Sequence, residues 1–422
     1  MVNMHGLSAP PPGGRRIVER CDLLGRPPYS DEAGSLFRPY LGSGYRATLD
    51  RIAAWMALAD MSVHVDAVGN VVGRYEGAVP DAPALLLGSH VDSVRNGGRY
   101  DGMLGVVLGI EVVACFAREG RRFPFALEVI GFGDEEGSRF PAAMLTSRTV
   151  AGTRDGFDLS MTDREGISLS EALSEFGLDL ATIDEARMTR ERVLAYVEAH
   201  IEQGPVLEAE GHAVGVVSAI AAQYRYLVTM HGVAGHAGTI AMRLRHDALA
   251  AAAEAIAMVE RIGRGGPDDL VATVGRLEVA PGAANVVPGD VVFSIDVRAG
   301  TNAQRDAAAK AIRHELRQIA DRRGIGLEVE LQQDLSATPC DGVLTQLMEQ
   351  AVADVTGAPA RVLVSGAGHD AMVMAHLAPV SMLFVRCEKG ISHNPAEAVT
   401  AADVEIALRA MMDFVRLFER RC

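Results

Sequence analysis

The sequence predicts an α/β fold: a mostly parallel-sheet catalytic domain with helices on both faces, interrupted by a smaller inserted α+β domain. Short apolar runs alternate with helical segments in the first half of the chain, which is typical of a parallel sheet with crossover helices. This pattern changes near residue 216 and returns near residue 336. At 422 residues, the chain is also too long for one ordinary core. Two domains are therefore expected.

A strand, a helix and a second strand are the first predicted elements. Residues 82–90 form a short apolar run that ends in small and polar residues, as a buried strand does. Residues 105–117 are apolar and follow a glycine-rich loop, which indicates a helix. Residues 125–131 form a second buried strand that is followed by acidic residues. This order implies that the two strands are parallel.

A compact α+β unit is predicted after residue 215, because the pattern there becomes strand-helix-strand-strand-helix-strand. Its predicted elements are a strand at 226–231, a helix at 246–262, strands at 271–277 and 291–297, a helix at 303–323 and a strand at 327–332. We therefore assign the inserted domain to 216–335. The catalytic domain is discontinuous and comprises 1–215 and 336–422.

Composition and charge argue against several classes of protein. The net charge of −15 disfavours nucleic acid and anionic membrane surfaces as partners. No apolar stretch is long enough to span a bilayer, and the proline-rich start at residues 10–16 has no signal-peptide core. Five scattered cysteines form no CxxC pair and are expected to be free thiols. A cytoplasmic protein is predicted.

Histidines and carboxylates follow the predicted strands in an order that suits a two-metal hydrolytic site. Ligands of parallel sheets bind beyond the carboxyl ends of the strands, where several of these residues lie. A bimetallic hydrolase needs about five ligand groups, including a carboxylate that bridges ions about 3.5–4 Å apart. Imidazole and carboxylate ligands suit zinc, manganese or cobalt. Two divalent metal ions are therefore predicted, with five candidate ligands: His90, Asp101, Glu136, His200 and His393.

Two further carboxylates have predicted catalytic roles. Asp92 follows His90 by two residues and can accept the ring N–H that does not bind metal, which would fix the tautomer. Glu135 cannot point the same way as Glu136 if both bind one ion, so we predict that Glu135 is a general base. Each signal is weak by itself, since a lone histidine is usually not a ligand and a Glu-Glu pair is usually solvated. Their joint occurrence in this order favours the metal site.

Five motifs of the chain closely resemble those of one enzyme family. The family is the amidase/hydantoinase/carbamoylase branch of the dinuclear metallopeptidase-like hydrolases, which includes N-carbamoyl-L-amino-acid amidohydrolase, allantoate amidohydrolase and β-ureidopropionase. The resemblance runs from about residue 15 to the C-terminus. The motifs are Gly88-Ser89-His90-Val91-Asp92-Ser93, Gly97-Gly98-Arg99-Tyr100-Asp101-Gly102, Asp134-Glu135-Glu136-Gly137-Ser138-Arg139-Phe140, His200-Ile201-Glu202-Gln203-Gly204-Pro205 and His393-Asn394-Pro395-Ala396-Glu397.

The resemblance implies how the metal ions and the substrate are held. It implies that Glu135 is the base and that Asp92 supports a metal ligand. It also implies a homodimer through the inserted domain, which acts as a lid, and a substrate that ends in a carboxylate. It implies that His90 and His200 hold the first ion and that Glu136 and His393 hold the second. Asp101 is implied to bridge the two ions. Residues that match the family's carboxylate binders are Gln203, His236, Asn285 and Arg298.

Some of these substrate residues have other readings. In the family, His236 reaches the partner's active site and helps to hold the oxyanion, but by itself it could cap a helix. The guanidinium of Arg298 can bind a carboxylate through two hydrogen bonds, and the alternative is a surface ion pair. Asn285 is equally well a turn residue. The segment 365–370 matches the lining of the family's substrate pocket, with Gly366 and His369 as the predicted contacts.

These observations predict a metal-dependent amidohydrolase that cleaves a linear, non-peptide C–N bond of a ureido acid and releases ammonia. Allantoate and an N-carbamoyl-L-amino acid are the expected substrates, and residues 386–393, which resemble the same segment of allantoate enzymes, slightly favour allantoate. An aminoacylase or metallopeptidase on the same scaffold is an alternative, disfavoured because such relatives usually have Asp or Glu in place of His200. A non-catalytic metal-binding relative is the other, disfavoured because the chain retains Glu135 and every predicted ligand.

Overall fold

The computed structural model describes residues 12–154 and 158–421, so the first two residues of the 10–16 proline-rich segment and the predicted free thiol of Cys422 lie outside the described residues. The strands are β1 Ser62–Val65, β2 Val71–Tyr75, β3 Ala84–His90, β4 Ala126–Phe132, β5 Val193–Ile201, β6 Val214–Ile220, β7 Ala222–His231, β8 Gly235–His236, β9 Val271–Thr273, β10 Leu277–Ala280, β11 Val286–Val287, β12 Asp290–Ala299, β13 Gly326–Leu335, β14 Thr338–Pro339, β15 Arg361–Ser365 and β16 Val380–Val385. The α-helices are α1 Gly14–Leu24, α2 Ser43–Leu58, α3 Met103–Glu119, α4 Leu145–Val150, α5 Leu169–Glu175, α6 Val206–Glu210, α7 Ala248–Arg264, α8 Asn302–Arg323, α9 Gly342–Thr356, α10 Asp370–Met374 and α11 Ala401–Glu419.

The chain forms two compact units. The first contains the described residues up to Ser218, Cys340–Leu363 and those from His369 onwards, and the second contains Ala219–Pro339 and Val364–Gly368. Residues 364–368 belong to the second unit, whereas the sequence prediction placed them in the catalytic domain. A backbone hydrogen bond holds this segment in the second unit, since the N–H of Ala221 donates to the Ser365 carbonyl at 2.9 Å.

The first unit is built on a sheet with strand order β1-β2-β4-β3-β5-β16-β6. The four central strands, β4, β3, β5 and β16, run parallel. The flanking strands β2 and β1 on one side and β6 on the other are antiparallel. The predicted α/β class with a mostly parallel central sheet and an inserted α+β part is confirmed.

The central strands place their carboxyl ends side by side. Every residue of β3 and β4 is buried, as expected for parallel strands whose faces are both covered. In the parallel registers, His90 is opposite Phe132 and Phe384 is opposite His200. Chain segments that leave β3, β4 and β5 therefore emerge at one edge of the sheet, where parallel sheets bind ligands.

The second unit has its own core. Its antiparallel sheet has the order β10-β12-β7-β13, with β9 also paired to β12, and helices α7 and α8 pack against it. Buried residues alternate along β12, which is the period of a strand with one face on a core. A separate two-stranded ladder joins β8 to β11.

One predicted strand is interrupted in the structure. The prediction of a single strand at 271–277 is wrong, since β9 and β10 are separate strands on the same edge of β12. From Thr273 to Leu277 the chain advances by four residues, whereas the partners, Asp296 and Phe293, are three apart. The extra residue forms a bulge, at which the backbone N–H of Ser294 on β12 donates to the Arg276 carbonyl at 3.1 Å.

Among the described residues, no helix combines the length and the apolar character that crossing a bilayer requires.

Candidate metal centre

All five predicted metal ligands come together in the first unit. His90 is the last residue of β3, and His200 lies at the end of β5. The other three lie in loops: Asp101 between β3 and α3, Glu136 after β4, and His393 before α11. Long sequence separations are therefore bridged by the parallel sheet, which carries the two histidines, and by three loops at the same edge.

Asp101 lies between two groups of ligand atoms. Its Oδ1 is 3.2 Å from Nε2 of His200 and 3.5 Å from Nε2 of His90. Its Oδ2 is 3.2 Å from Nε2 of His393, and that nitrogen is 3.5 Å from Oε1 of Glu136. Within each group the ligand atoms lie within 4.8 Å of one another. One carboxylate is thus shared by two potential cation sites.

The two buried histidines are held in the tautomer that a metal needs. Nδ1 of His90 is 3.2 Å from the Asp92 carbonyl, and Nδ1 of His200 is 2.9 Å from the Ile201 carbonyl. A carbonyl only accepts, so each Nδ1 carries a proton, and Nε2 is the ring nitrogen left to bind a metal. The two Nε2 atoms lie 3.4 Å apart, and that of His200 is 3.2 Å from the backbone nitrogen of Gly102.

The donor atoms of these residues suit a divalent cation. Nε2 of His90 and Nε2 of His200 lie 3.4 Å apart, and Oε1 of Glu136 is buried without a hydrogen-bond partner. Burial raises the pKa of the Asp101 carboxyl, but hydrogen bonds from the surrounding histidines outweigh it and hold this pKa well below the usual range. An ionised carboxylate between imidazoles is a donor set that suits zinc, manganese or cobalt.

Asp92 supports both the histidine and the glutamate loop. Its Oδ1 is 3.5 Å from Nδ1 of His90, further away than its own backbone carbonyl. The same oxygen accepts the backbone N–H of Glu135 at 3.1 Å, and Oδ2 accepts that of Glu136 at 3.2 Å. Asp92 therefore orients the two consecutive glutamates, a role that the sequence did not predict.

Glu135 is a buried carboxylate beside the metal ligands. Only 8% of its surface is exposed, and it lies within ligand distance of His90 and Glu136. Burial raises the pKa of the Glu135 carboxyl well above its usual range, His90 lowers it, and Glu136 raises it. A carboxyl with a raised pKa accepts a proton more readily than an ordinary glutamate, as a general base must.

Sequence reasoning missed Glu198 as a residue of this centre. Glu198 is fully buried on β5 and accepts hydrogen bonds from Ser89 Oγ at 2.8 Å and from Ala371 N–H at 2.9 Å. It forms a further potential ligand group with His200 and His369. Its signal was available, since a glutamate two residues before His200 on a strand points to the same face of the sheet.

Two predicted substrate residues of the first unit lie close to the metal ligands. Gln203 Nε2 donates to Asp101 Oδ2 and to Ser392 Oγ, each at 3.1 Å. The His369 ring is buried, with its centroid 4.5 Å from that of His200. Gln203 thus contacts the shared carboxylate, whereas His369 packs against a metal ligand.

His236 and Asn285 are neighbours in the second unit. The ladder between β8 and β11 places His236 opposite Val286, next to Asn285, whose carbonyl accepts the N–H of Ala237 at 2.9 Å. His236 and Asn285 are both exposed. Nδ1 of His236 accepts the N–H of Gly238 at 3.0 Å, so the ring proton lies on Nε2 and can be donated outward.

Arg298 forms the ion pair that the sequence analysis gave as the alternative to substrate binding. Its Nε donates to Asp296 Oδ1 at 2.8 Å, and its Nη2 to Oδ2 at 3.2 Å. Its Nη1 donates to the carbonyl of Gly366 at 2.5 Å. Three of the five guanidinium N–H groups are used in this way, and two remain able to donate to a carboxylate.

Comparison with known proteins identifies the family of this chain. Residues 86–417 match the peptidase family M20/M25/M40. The chain is 40% identical over 398 residues to an N-carbamoyl-L-amino acid amidohydrolase of Geobacillus stearothermophilus, covering 94% of this chain and 97% of that protein. It is 39% identical over 427 residues to an allantoate deiminase of Arabidopsis thaliana, covering 94% and 81% respectively.

Solved structures give the same result. A crystal structure of an amidase of the hydantoinase/carbamoylase family from Burkholderia multivorans superposes with a TM-score of 0.88 at 35% identity, covering 96% of this chain and 97% of that one. The resemblance inferred from the motifs is confirmed. This chain belongs to the peptidase family M20/M25/M40, within its amidase/hydantoinase/carbamoylase branch.

Proposed function

We propose that this protein is a two-metal amidohydrolase that cleaves the linear, non-peptide C–N bond of a ureido acid and releases ammonia. The observation that carries the proposal is the Asp101 carboxylate, shared by two groups of metal-ligand atoms. Two relatives are named for allantoate and for N-carbamoyl-L-amino acids, which both contain a ureido group and a carboxylate. Their nearly equal identities favour neither substrate.

The proposed metal ligands divide between two ions, each zinc, manganese or cobalt. Bound there, the two cations supply Lewis-acid activation of water and of the ureido carbonyl. The ligands are His90 and His200 for the first ion, Glu136 and His393 for the second, and Asp101 for both.

Glu135 moves the proton in the proposed reaction. Its carboxylate takes a proton from the water that attacks the ureido carbon, and it returns this proton to the leaving nitrogen as the C–N bond breaks. The hydrogen bond from the backbone N–H of Glu135 to Asp92 fixes the loop that carries Glu135. Asp92 thus acts on catalysis by orienting Glu135 and by supporting His90.

The substrate carboxylate is assigned to Arg298, Asn285 and Gln203. The two remaining N–H groups of Arg298 suit a carboxylate, and holding it sets the position of the ureido group. The outward N–H on Nε2 of His236 suits an oxyanion, and we assign it to the active site of the partner subunit in a homodimer formed through the second unit, which serves as a lid. Gly366 and His369 complete the proposed substrate pocket.

A cytoplasmic location is part of the proposal. Its support is the state of the cysteines, since Cys21, Cys115, Cys340 and Cys387 are free thiols. Free thiols are typical of a reducing compartment.

A substrate panel tests the reaction class. Purified enzyme is incubated with allantoate, N-carbamoyl-L-methionine, β-ureidopropionate or a dipeptide, and both ammonia and free amine are measured. We expect ammonia from at least one ureido acid and no cleavage of the dipeptide. Amine release from the dipeptide without ammonia from any ureido acid would instead identify a peptidase or aminoacylase.

Subunit complementation tests the role of His236. Glu135→Gln and His236→Ala chains carry different affinity tags and are co-expressed, and the mixed dimer is isolated. Each variant alone is expected to be nearly inactive, whereas the mixed dimer should recover about half of the wild-type rate, since one of its two equivalent sites is intact. The control pairs Glu135→Gln with Asp101→Asn, which leaves no intact site. No recovery in the first pair would exclude donation between subunits.

A further inference from the structure

Glu397 is a buried carboxylate that the proposed reaction does not use. It lies in the loop before α11, and 1% of its surface is exposed. Its Oε1 accepts the backbone N–H groups of Tyr100 at 2.8 Å and of Asp101 at 3.1 Å. Its Oε2 accepts from Ser392 Oγ at 3.2 Å. Because donors from the protein occupy both oxygens, Glu397 is placed to support the centre and not to bind a cation.

These contacts form a closed ring between two loops that carry metal ligands. Ser392 Oγ is also 3.2 Å from Asp101 Oδ2, the oxygen that faces His393. The backbone N–H of Asp101 is thus bound to Glu397, and the single hydroxyl proton of Ser392, the residue before His393, is shared between Glu397 and the Asp101 side chain. The ring fixes the position of the His393 loop relative to the shared carboxylate.

The chain makes room for this carboxylate at Gly98. A Cβ atom at this position would lie 2.1–2.3 Å from the carboxylate atoms of Glu397. No side chain fits at that distance, so the close approach of Glu397 to the Asp101 loop requires glycine at position 98.

The two histidines on the other side of the centre are held independently of the ring. His90 and His200 lie on β3 and β5, whose parallel register places Gly88 opposite Glu198. Their Nδ1 atoms are held by backbone carbonyls of neighbouring residues. A change at Glu397 should therefore affect the Oδ2 side of Asp101 selectively.

We propose that Glu397 is a positioning residue that sets the geometry of the His393 side of the two-metal site. The inference rests on the metal centre proposed above. Without this carboxylate, two buried backbone N–H groups lose their acceptor, and the loop of Ser392 and His393 loses its tie to Asp101. Changes to residues behind metal ligands typically lower metal affinity by about 10–100-fold.

Cobalt(II) titration of chelator-stripped protein, followed by calorimetry and visible absorption, tests this role. Wild type is expected to bind two ions. Glu397→Ala is expected to keep its affinity for the first ion and to bind the second about 10–100-fold more weakly. Glu397→Gln keeps an oxygen that can accept both N–H groups, so it should restore most of the second-ion affinity. If Glu397→Ala fails to fold, Ser392→Ala cuts the same ring and should weaken the second ion.

Asp341→Ala is the matched control. Oδ1 of Asp341 accepts two backbone N–H groups, from Val343 at 2.9 Å and Leu344 at 3.0 Å, at the start of α9. This variant should lose thermal stability and keep both cobalt affinities. Unchanged second-ion affinity in the Glu397 and Ser392 variants, or an equal loss of both ions, would overturn the inference. Wild-type protein that binds fewer than two ions would refute the metal centre itself.

Discussion

Replacing Glu135 with Gln is expected to lower kcat by about 10²–10⁴-fold, the usual contribution of a general acid–base group. The amide has nearly the same shape as the carboxyl but cannot take a proton from water. The hydrogen bond that places Glu135 comes from its backbone N–H to Asp92, so the substitution leaves this contact in place. Because Glu136 and the other proposed ligands are unchanged, the variant should still bind two metal ions.

Steady-state kinetics with a metal count on the same samples test this prediction. Glu128→Gln is the matched control, since Glu128 is also 8% exposed and lies on β4, the strand before the glutamate pair. Its carboxylate pairs with Arg74 at 2.6 Å, so the control should lose stability and keep its turnover. A Glu135→Gln enzyme with near-normal kcat would end the assignment of the base.

Asp101→Asn is expected to have the other large effect, because it removes the carboxylate that both metal groups share. The amide nitrogen has no lone pair for a cation, so one side of the bridge is lost. Lewis-acid catalysis contributes several kcal/mol, and each ~1.36 kcal/mol is a factor of ten in rate. We therefore expect turnover to fall about a thousandfold, together with loss of at least one ion from each chain.

Metal analysis of Asp101→Asn beside Asp341→Asn tests this prediction. The second substitution also removes a carboxylate charge from the first unit, at the start of α9. It should leave two ions bound and the rate unchanged. If Asp101→Asn retained both ions and normal turnover, a bridging role for Asp101 would be impossible.

The sheet-end residues of the centre were predictable from sequence. Parallel strands bring their carboxyl ends to one edge, so His90 and the glutamates after β4 were expected near each other. No strand was predicted before His200, which was a candidate ligand from its residue type and motif. Edge strands were harder to foresee. Ser62–Val65 and Val71–Tyr75 are short, and β1 lies at the antiparallel edge of the sheet, where the apolar pattern is weak.

Contacts that depend on loop conformation were not predictable. Asp134 adopts a φ of 58°, which is left-handed for a residue other than glycine, directly before the two N–H groups that converge on Asp92. Glu397 lies 296 residues from Asp101, and the sequence holds no periodic signal that joins them. The resemblance quoted Glu397 in a motif but assigned it no role.

Ammonia release by chelator-stripped enzyme, before and after manganese, cobalt or zinc is added back, tests whether the reaction depends on two metal ions. Allantoate and N-carbamoyl-L-methionine serve as substrates, and bound metal is counted at each addition. We predict that stripped protein is inactive and that activity reaches its maximum at two ions per chain, since both ligand groups share Asp101. Full activity in protein shown to contain no metal would rule out a metal-dependent reaction.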